Sequence, residues 1–508
     1  MKFNKKFFKN SVNKNLFFYL FLLAYSVLLL LLCFKIQLWV DETFTLNTTS
    51  GNFFDVVIQS YNFEGQPPVY FILLSLWRDI LPNVFFAKLF SVLCIAFSAF
   101  FLYKLAKLLA DSECSKWLVV IFLLNPFTVW AALEIRLYAL LICFSTISIY
   151  FFFQYYLNQK NKYLYLFLVI SLVGLYTQYF FALQIAALAF SILIFKGWKS
   201  FFKLCLYLIP VVFLFLPNLL DRPEQGARSN LRKLVYTTIE RINIVLHTPQ
   251  DFMLALQLVP FERWIKWGIK ISFFIAILIA YYKLLKNRNS SNYAFQKIIN
   301  NILIALIILV VLFCVMAAIT GILYSNKYMA IAFPFFILLF LLLKTFSPIN
   351  RNLIYSIISI YFILLLMSFY RYPVKGYNYK EIGKYVRSIE RKNEPILFYS
   401  NALSLTFRYY YSGHNPIEPL PHEVKFDSSF MESLKDTFEL KQSINKIKTS
   451  SNSYLFISDL TESQYVVELS RGAVDSFLNN NYNITLDTIL YGRTKNFPLR
   501  IRRIEKRN

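Results

Sequence analysis

Two carboxylates stand side by side in Trp39-Val40-Asp41-Glu42, directly after a long apolar run, and are the first residues placed to do acid–base chemistry. An acid pair at a membrane edge is costly to desolvate and ordinarily points to water. The same loop continues, however, to Glu64-Gly65-Gln66-Pro67-Pro68-Val69-Tyr70. Tandem prolines fix two φ angles and keep a helix from running into the turn, which pins these polar residues at an interface. Further polar boundaries read Glu134-x-Arg136-x-Tyr138 after Asn125-Pro126, then Tyr176-Thr177-Gln178-Tyr179, then Ser325-Asn326-Lys327-Tyr328 before Pro334. Arg136 either snorkels or pairs with Glu134, or it offers a planar fork to a phosphate at headgroup depth. An aromatic belt accounts for several of the tyrosines. Lys327 is more pointed, because positive charge is depleted on the outer side of a membrane. The three histidines (His247, His414, His422) and six cysteines show no metal-ligand spacing, so the cysteines read as free structural thiols.

The elements that must hold these residues are membrane spans. The chain of 508 residues is 57% hydrophobic and 16% charged, more apolar surface than a water-soluble core can bury. Runs such as Leu16–Phe34 approach the roughly 20 residues a helix needs to cross a bilayer, and in hydrocarbon such runs must be helical. Leu16–Phe34 is too long for a signal-peptide core and reads as a retained first helix. The net charge of +25 does not indicate nucleic acid, because lysines and arginines sit in short clusters between apolar runs. Lys2 to Lys14 place the N-terminus inside. Clusters at 104–116, 160–162, 196–203, 283–297 and 344–351 mark later cytoplasmic loops. They alternate with runs near 84–103, 117–133, 137–156, 163–179, 181–195, 204–219, 265–282, 299–323, 329–343 and 353–370. With the first helix this gives about eleven spans, an N-terminus inside and a tail outside. Pro67–Trp77 is read as a dip into the membrane from outside, because counting it as a span would invert every later basic loop. Phe44–Tyr61, with Phe53, Phe54, Val57 and Ile58 apolar, suits a helix lying on the membrane. The outer segment Asp221–Arg263 carries Arg222, Arg228, Arg232, Lys233 and Arg241. It is either a solvated loop with an amphipathic helix at Leu231–Val245 or a cover that meets anionic headgroups.

Past about residue 371 the chain changes character. Charges become dense, and β-rich runs at Pro395–Tyr399 and Tyr454–Ile457 interleave with helical patterns such as Lys380–Lys392. The expectation is a transmembrane domain over 1–370, with the first outer loop at 35–83 carrying membrane-surface helices, and a small extracytoplasmic α/β domain over 371–508.

The acid pair after the first helix, the Pro-Pro-x-Tyr turn, Glu-x-Arg-x-Tyr after Asn-Pro, and a late basic-Tyr turn together resemble the glycosyltransferase C superfamily. Within it, the pattern is similar to the dolichyl-phosphate-mannose–protein mannosyltransferases and the bacterial aminoarabinose transferase of lipid A, over roughly the first 345 residues. The resemblance implies a polyprenyl-phosphate-linked sugar donor, a lipid, glycan or protein acceptor on the outer face, and inverting transfer of a hexose or pentose. It implies Asp41 as the catalytic base or acceptor-orienting carboxylate, Glu42 in the same pocket and Glu64 as a second acid near the acceptor. Arg136 and Lys327 would bind the donor phosphate, with Gln66, Pro67, Tyr70, Glu134, Tyr138, Gln178 and Tyr328 lining the pocket. Gln66 and Gln178 stand where many relatives carry histidine. Glutamine hydrogen-bonds but cannot shuttle protons, so acid–base work falls to Asp41. Lys327 replaces a commoner arginine and offers a point charge instead of a fork.

The chemistry is consistent with this arrangement. A phosphate leaving group departs as a stable anion and needs positive charge more than a general acid. An acceptor hydroxyl needs a carboxylate to take its proton. No cofactor is required, although a divalent cation bridging Asp41 and the phosphate is left open. Membrane lipids are expected partners, and nucleic acid is not. The Lys/Asn/Phe/Ile-rich composition suggests a bacterial inner membrane. The alternative of another class is a transporter or flippase of lipid-linked glycans, but such proteins tend to keep charges near the bilayer midplane. Here they stand at helix ends. The glycosyltransferase reading requires Asp41 and the two cations to face one extracytoplasmic cleft.

Overall fold

The structure is a computed structural model. It describes every residue except 1–4, 221–236, 255–261, 287–289, 321–324, 346–355, 357, 365, 367–374, 400, 427–433, 435, 448–450, 461–468, 493–496 and 508. Its described residues form two compact units, one of long helices (Met1–Lys35, Leu76–Leu220, Ile239–Ser368) and one joining Ile36–Ser75 to Phe369–Asn508.

In the helical unit, α1 (Lys5–Lys35) covers the run expected as the first helix. The second unit then opens with α2 (Val40–Thr48), α3 (Phe53–Asn62) and α4 (Val69–Ile80). The helical unit resumes with α5 (Val84–Leu109), α6 (Ser112–Leu124), α7 (Pro126–Ala132), α8 (Tyr138–Asn158) and α9 (Asn161–Leu175). It continues through α10 (Phe181–Leu220), α11 (Thr238–Leu254), α12 (Arg263–Lys286) and α13 (Ser290–Thr320). Among the described residues six helices are long and apolar enough to cross a membrane, or seven if the bent pair α6–α7 is one span. That pair turns by 63° at Asn125-Pro126. Pro126 has no N–H to lose at the start of α7, and the Asn125 side chain accepts from Phe127 N at 2.8 Å to cap it.

The 40-residue α10 is in fact two helices meeting at Gly197, whose φ of +76° only glycine adopts without strain. The arms fold back on each other: Phe190 and Phe201 stack at 5.5 Å, and the Tyr176 hydroxyl donates to Leu214 O at 2.8 Å. The expected separation of 181–195 from 204–219 by the lysines at 196–203 is therefore a real reversal.

The expected run at 329–343 is not one regular helix. A 3₁₀ segment (Asn326–Ala332), α14 (Phe333–Leu338) and a second 3₁₀ segment (Leu339–Thr345) follow one another, with Pro334 in the first turn of α14. Every residue from Met329 to Leu342 is buried in protein. Irregular backbone at membrane depth is tolerable only under such cover. Half of the run expected at 353–370 lies outside the described residues, as do Arg222, Arg228, Arg232, Lys233 and Arg351. Arg241 is buried, and its guanidinium donates to Ala317 O at 3.0 Å.

The second unit is an α/β sandwich. Its tail runs α15 (Tyr379–Ile389), β1 (Ile396–Tyr399), α16 (Asn401–Arg408), β2 (Ile417–Pro419), α17 (Thr437–Asn445), β3 (Ser453–Asp459), α18 (Arg471–Asn481), β4 (Tyr482–Tyr491) and β5 (Pro498–Lys506). The strands order β2-β1-β3-β5-β4, parallel across β2-β1-β3 and antiparallel across β3-β5-β4. Alternation along β3 buries Tyr454 and Phe456 on one face, against α17 and α18, and Leu455 and Ile457 on the other, against α15 and α16. The expected strands and helix are found, with ends moved by up to three residues.

The loop expected at 35–83 contributes to this core. Phe44 and Phe63 pack with Leu405 and Val424 of the tail. The helix expected over Phe44–Tyr61 is two helices, because Asn52 caps a new start by accepting from Asp55 N at 3.0 Å. Phe53, Phe54 and Ile58 are exposed along α3, as a membrane-surface helix requires. At 12 residues α4 is about 18 Å long, too short to cross a bilayer.

Candidate functional site

The carboxylates belong to the second unit. Glu42 sits at the third position of α2, where its side chain accepts from the Trp39 backbone amide at 3.2 Å. It is fully buried and forms an ion pair with Lys375 at 2.8 Å. Asp41, its neighbour, is half-buried. Successive helical residues point about 100° apart, so burying Glu42 turns Asp41 to another side of α2. One turn on, the Thr45 hydroxyl lies 3.2 Å from Asp41 O and 3.4 Å from Glu64 Oε1. Thr45 therefore links the Asp41 backbone to the Glu64 carboxylate.

Glu64 is held by a tight reversal. Glu64 N donates to Gln59 O at 3.1 Å, Gly65 takes a φ of +63°, and Gln66 N donates to Ser60 O at 2.9 Å. Pro67 and Pro68 then launch α4, which places Tyr70 in the core at 1% exposure. Gln66 is half-buried.

The cations belong to the helical unit. Lys327 Nζ lies 4.9 Å from the centroid of Trp130, within cation–π range. The Trp130 ring lies 5.1 Å from Tyr138, two residues past the half-buried Arg136. Tyr328 meets Phe180 at 5.9 Å, beside the buried Gln178. Glu134 is buried, and its carbonyl accepts from the Ser91 hydroxyl at 2.6 Å. Three turns read as outer boundaries from charge alternation, at 130–138, 176–180 and 325–328, thus meet at one end of this unit.

Three residues at these places escaped the sequence reading. Asp251 on α11 accepts from the Asn326 side chain at 3.1 Å, next to Lys327, and burial pushes its carboxyl above the usual range. Lys88 on α5 is fully buried, 3.4 Å from Cys33 O. A lysine inside an otherwise apolar span was the available signal. Lys375 had none, standing 333 positions from its partner. Among the described residues no group of three or more His, Cys, Asp or Glu side chains could hold a metal ion.

Residues 65–220 match the family model of dolichyl-phosphate-mannose-protein mannosyltransferase, the segment that runs from the Pro-Pro turn through α10. The chain's fold is one of long apolar helices with a small C-terminal sheet domain. Its structure is similar to that of ArnT from Cupriavidus metallidurans in the apo state, with a TM-score of 0.53 at 10% identity over 95% of this chain and 97% of that one. The same protein bound to undecaprenyl phosphate gives a TM-score of 0.44 at 10% identity and the same coverage. No curated protein matches the chain.

Proposed function

We propose that this chain is a glycosyltransferase of the bacterial inner membrane. It moves a sugar from a polyprenyl-phosphate donor to a lipid, glycan or protein acceptor on the extracytoplasmic face. The observation that most supports this is the meeting of Lys327, Trp130 and Tyr138, which joins a late basic turn to the Glu-x-Arg-x-Tyr turn far earlier in the chain. That is the chemistry a lipid phosphate needs: cations half-shielded from water, beside aromatic rings at helix ends.

In this reading the glycosidic bond from sugar C1 to the phosphate oxygen breaks, and its electron pair leaves with the polyprenyl phosphate. Arg136 and Lys327 stabilise the growing charge. The acceptor oxygen bonds C1 from the opposite face, which inverts the centre, and its proton passes to Asp41. Glu64, linked to the Asp41 turn through Thr45, orients the acceptor. Glu42 contributes through its ion pair. A divalent ion would need to draw on Asp41 and Glu64, and no step depends on one.

The test is sugar transfer in membranes supplied with the lipid-linked donor fraction of the source cells. Asp41→Asn abolishes transfer at unchanged expression. Full activity in that variant removes Asp41 from the mechanism.

A further inference from the structure

The strip of chain from Gln37 to Thr43 is tied to the tail at several points. Gln37 donates to the Asn378 side chain at 2.9 Å and accepts from Lys380 N at 3.1 Å. Leu38 N donates to the Tyr410 hydroxyl at 2.6 Å, and the Thr43 and Thr406 hydroxyls are 3.0 Å apart. The Glu42–Lys375 pair adds a charged link, with side chains 0% and 6% exposed. Removing two charges from water is costly, and such a pair holds only in one geometry. Its effect on α2 is rotational. Glu42 is anchored inward, so Asp41, on another side of the helix, and the buried Thr45, one turn on, are aimed by the same bond.

We propose that Lys375 is a positioning residue: by holding Glu42 it sets the rotation of α2 and so the aim of Asp41 and of the Thr45–Glu64 contact. The C-terminal domain thereby assembles the acid half of the site. This rests on the glycosyltransferase reading for its catalytic consequence but not for its structural one. Without Lys375, Glu42 keeps a buried charge with its ion-pair partner gone, and α2 rolls or lifts to return it to water.

The experiment compares the full chain with Lys375→Met and Lys375→Arg in lipid nanodiscs, by hydrogen exchange and by transfer kinetics with the lipid-linked donor fraction. In Lys375→Met, amides of α2 exchange at least tenfold faster while those of β1, β3 and β5 are unchanged. Its kcat falls at least tenfold with donor KM within twofold, and Lys375→Arg recovers most of both. Should Lys375→Met fail to fold, Glu42→Gln, which keeps the shape and removes the charge, gives the same pattern. Unchanged exchange in α2 overturns the proposal, and so does faster exchange with unchanged kcat. If the native chain transfers no sugar at all, the glycosyltransferase reading falls, and the exchange data alone decide the lock.

Discussion

Replacing Lys327 and Trp130, singly and together, weighs the donor-phosphate assignment in energy units. Two unit charges 4 Å apart interact by about 4 kcal/mol at an effective dielectric near 20 and about 1 kcal/mol in bulk water. Lys327 is half-buried, so its pull on a phosphate lies between these limits. Lys327→Ala then lowers kcat/KM for the donor by a factor between about 5 and about 900. Trp130 touches the ammonium through its ring face at 4.9 Å, a contact worth about 0.5 to 2 kcal/mol. Trp130→Leu therefore costs roughly 2- to 30-fold, by releasing the lysine from its set position. The two effects share one contact, so the double variant loses less than the product of the single losses, by a coupling of about 1 kcal/mol. Initial rates in nanodiscs with donor varied and acceptor saturating measure all four corners of the cycle. Losses that simply multiply refute the positioning of Lys327 by Trp130. A Lys327→Ala protein with native kcat/KM for the donor refutes the phosphate role altogether.

Two more outcomes follow from charged groups the structure places. Asp251→Leu, which removes the acceptor for Asn326, raises donor KM severalfold, whereas Asp251→Asn, which can still accept that bond, stays near native; equal behaviour of the two shows that the Asp251–Asn326 bond does not hold the turn. Asp487 is held below the usual carboxylate range by the Arg500 guanidinium, so its share of sheet stability is complete above its unfolded value of about 3.9 and is lost as pH falls through the lower folded value. Asp487→Asn is accordingly less stable than the native chain at pH 7, by well under about 1 kcal/mol for so exposed a pair, and equal to it at the lowest pH; urea unfolding of β4–β5 followed by hydrogen exchange at several pH values reads the convergence.

Much of this molecule is written along one dimension. A span announces itself by a run of apolar residues, and a strand or helix in the tail by its period, so the elements were readable before any geometry. The lysines at 196–203 even separated the two arms of α10, which length and hydropathy alone would merge. What sequence could not supply was direction. Asp41 and Glu42 are adjacent and chemically alike, and both were assigned to one pocket. The helix sends them different ways, and Lys375, arriving from the tail, pairs with the buried one. Asp251 was invisible for the same reason: a single acid in an outer segment gains meaning only from the Asn326 amide beside it. Lys88, by contrast, was legible and passed over.

The contact between Lys327 and Trp130 also tests the winding of the helical unit, through parity. From the turn at 130–138, the chain leaves along α8 and returns along α9 to the turn at 176–180. It must then make an even number of crossings to bring Lys327 back beside Trp130. Helices α12 and α13 supply two, one away and one back, so α10 must contribute none or two. A straight 40-residue helix would be about 60 Å long, twice a bilayer's apolar thickness, and would count as one. It would strand Lys327 at the opposite end. The reversal at Gly197, with Tyr176 reaching Leu214 across it, makes the count two and closes the circuit. A single backbone conformation that favours glycine thus decides whether a late lysine can meet an early tryptophan. Gly197→Val, which cannot hold a φ of +76° without strain, acts on the donor-phosphate residues from the far end of two helices.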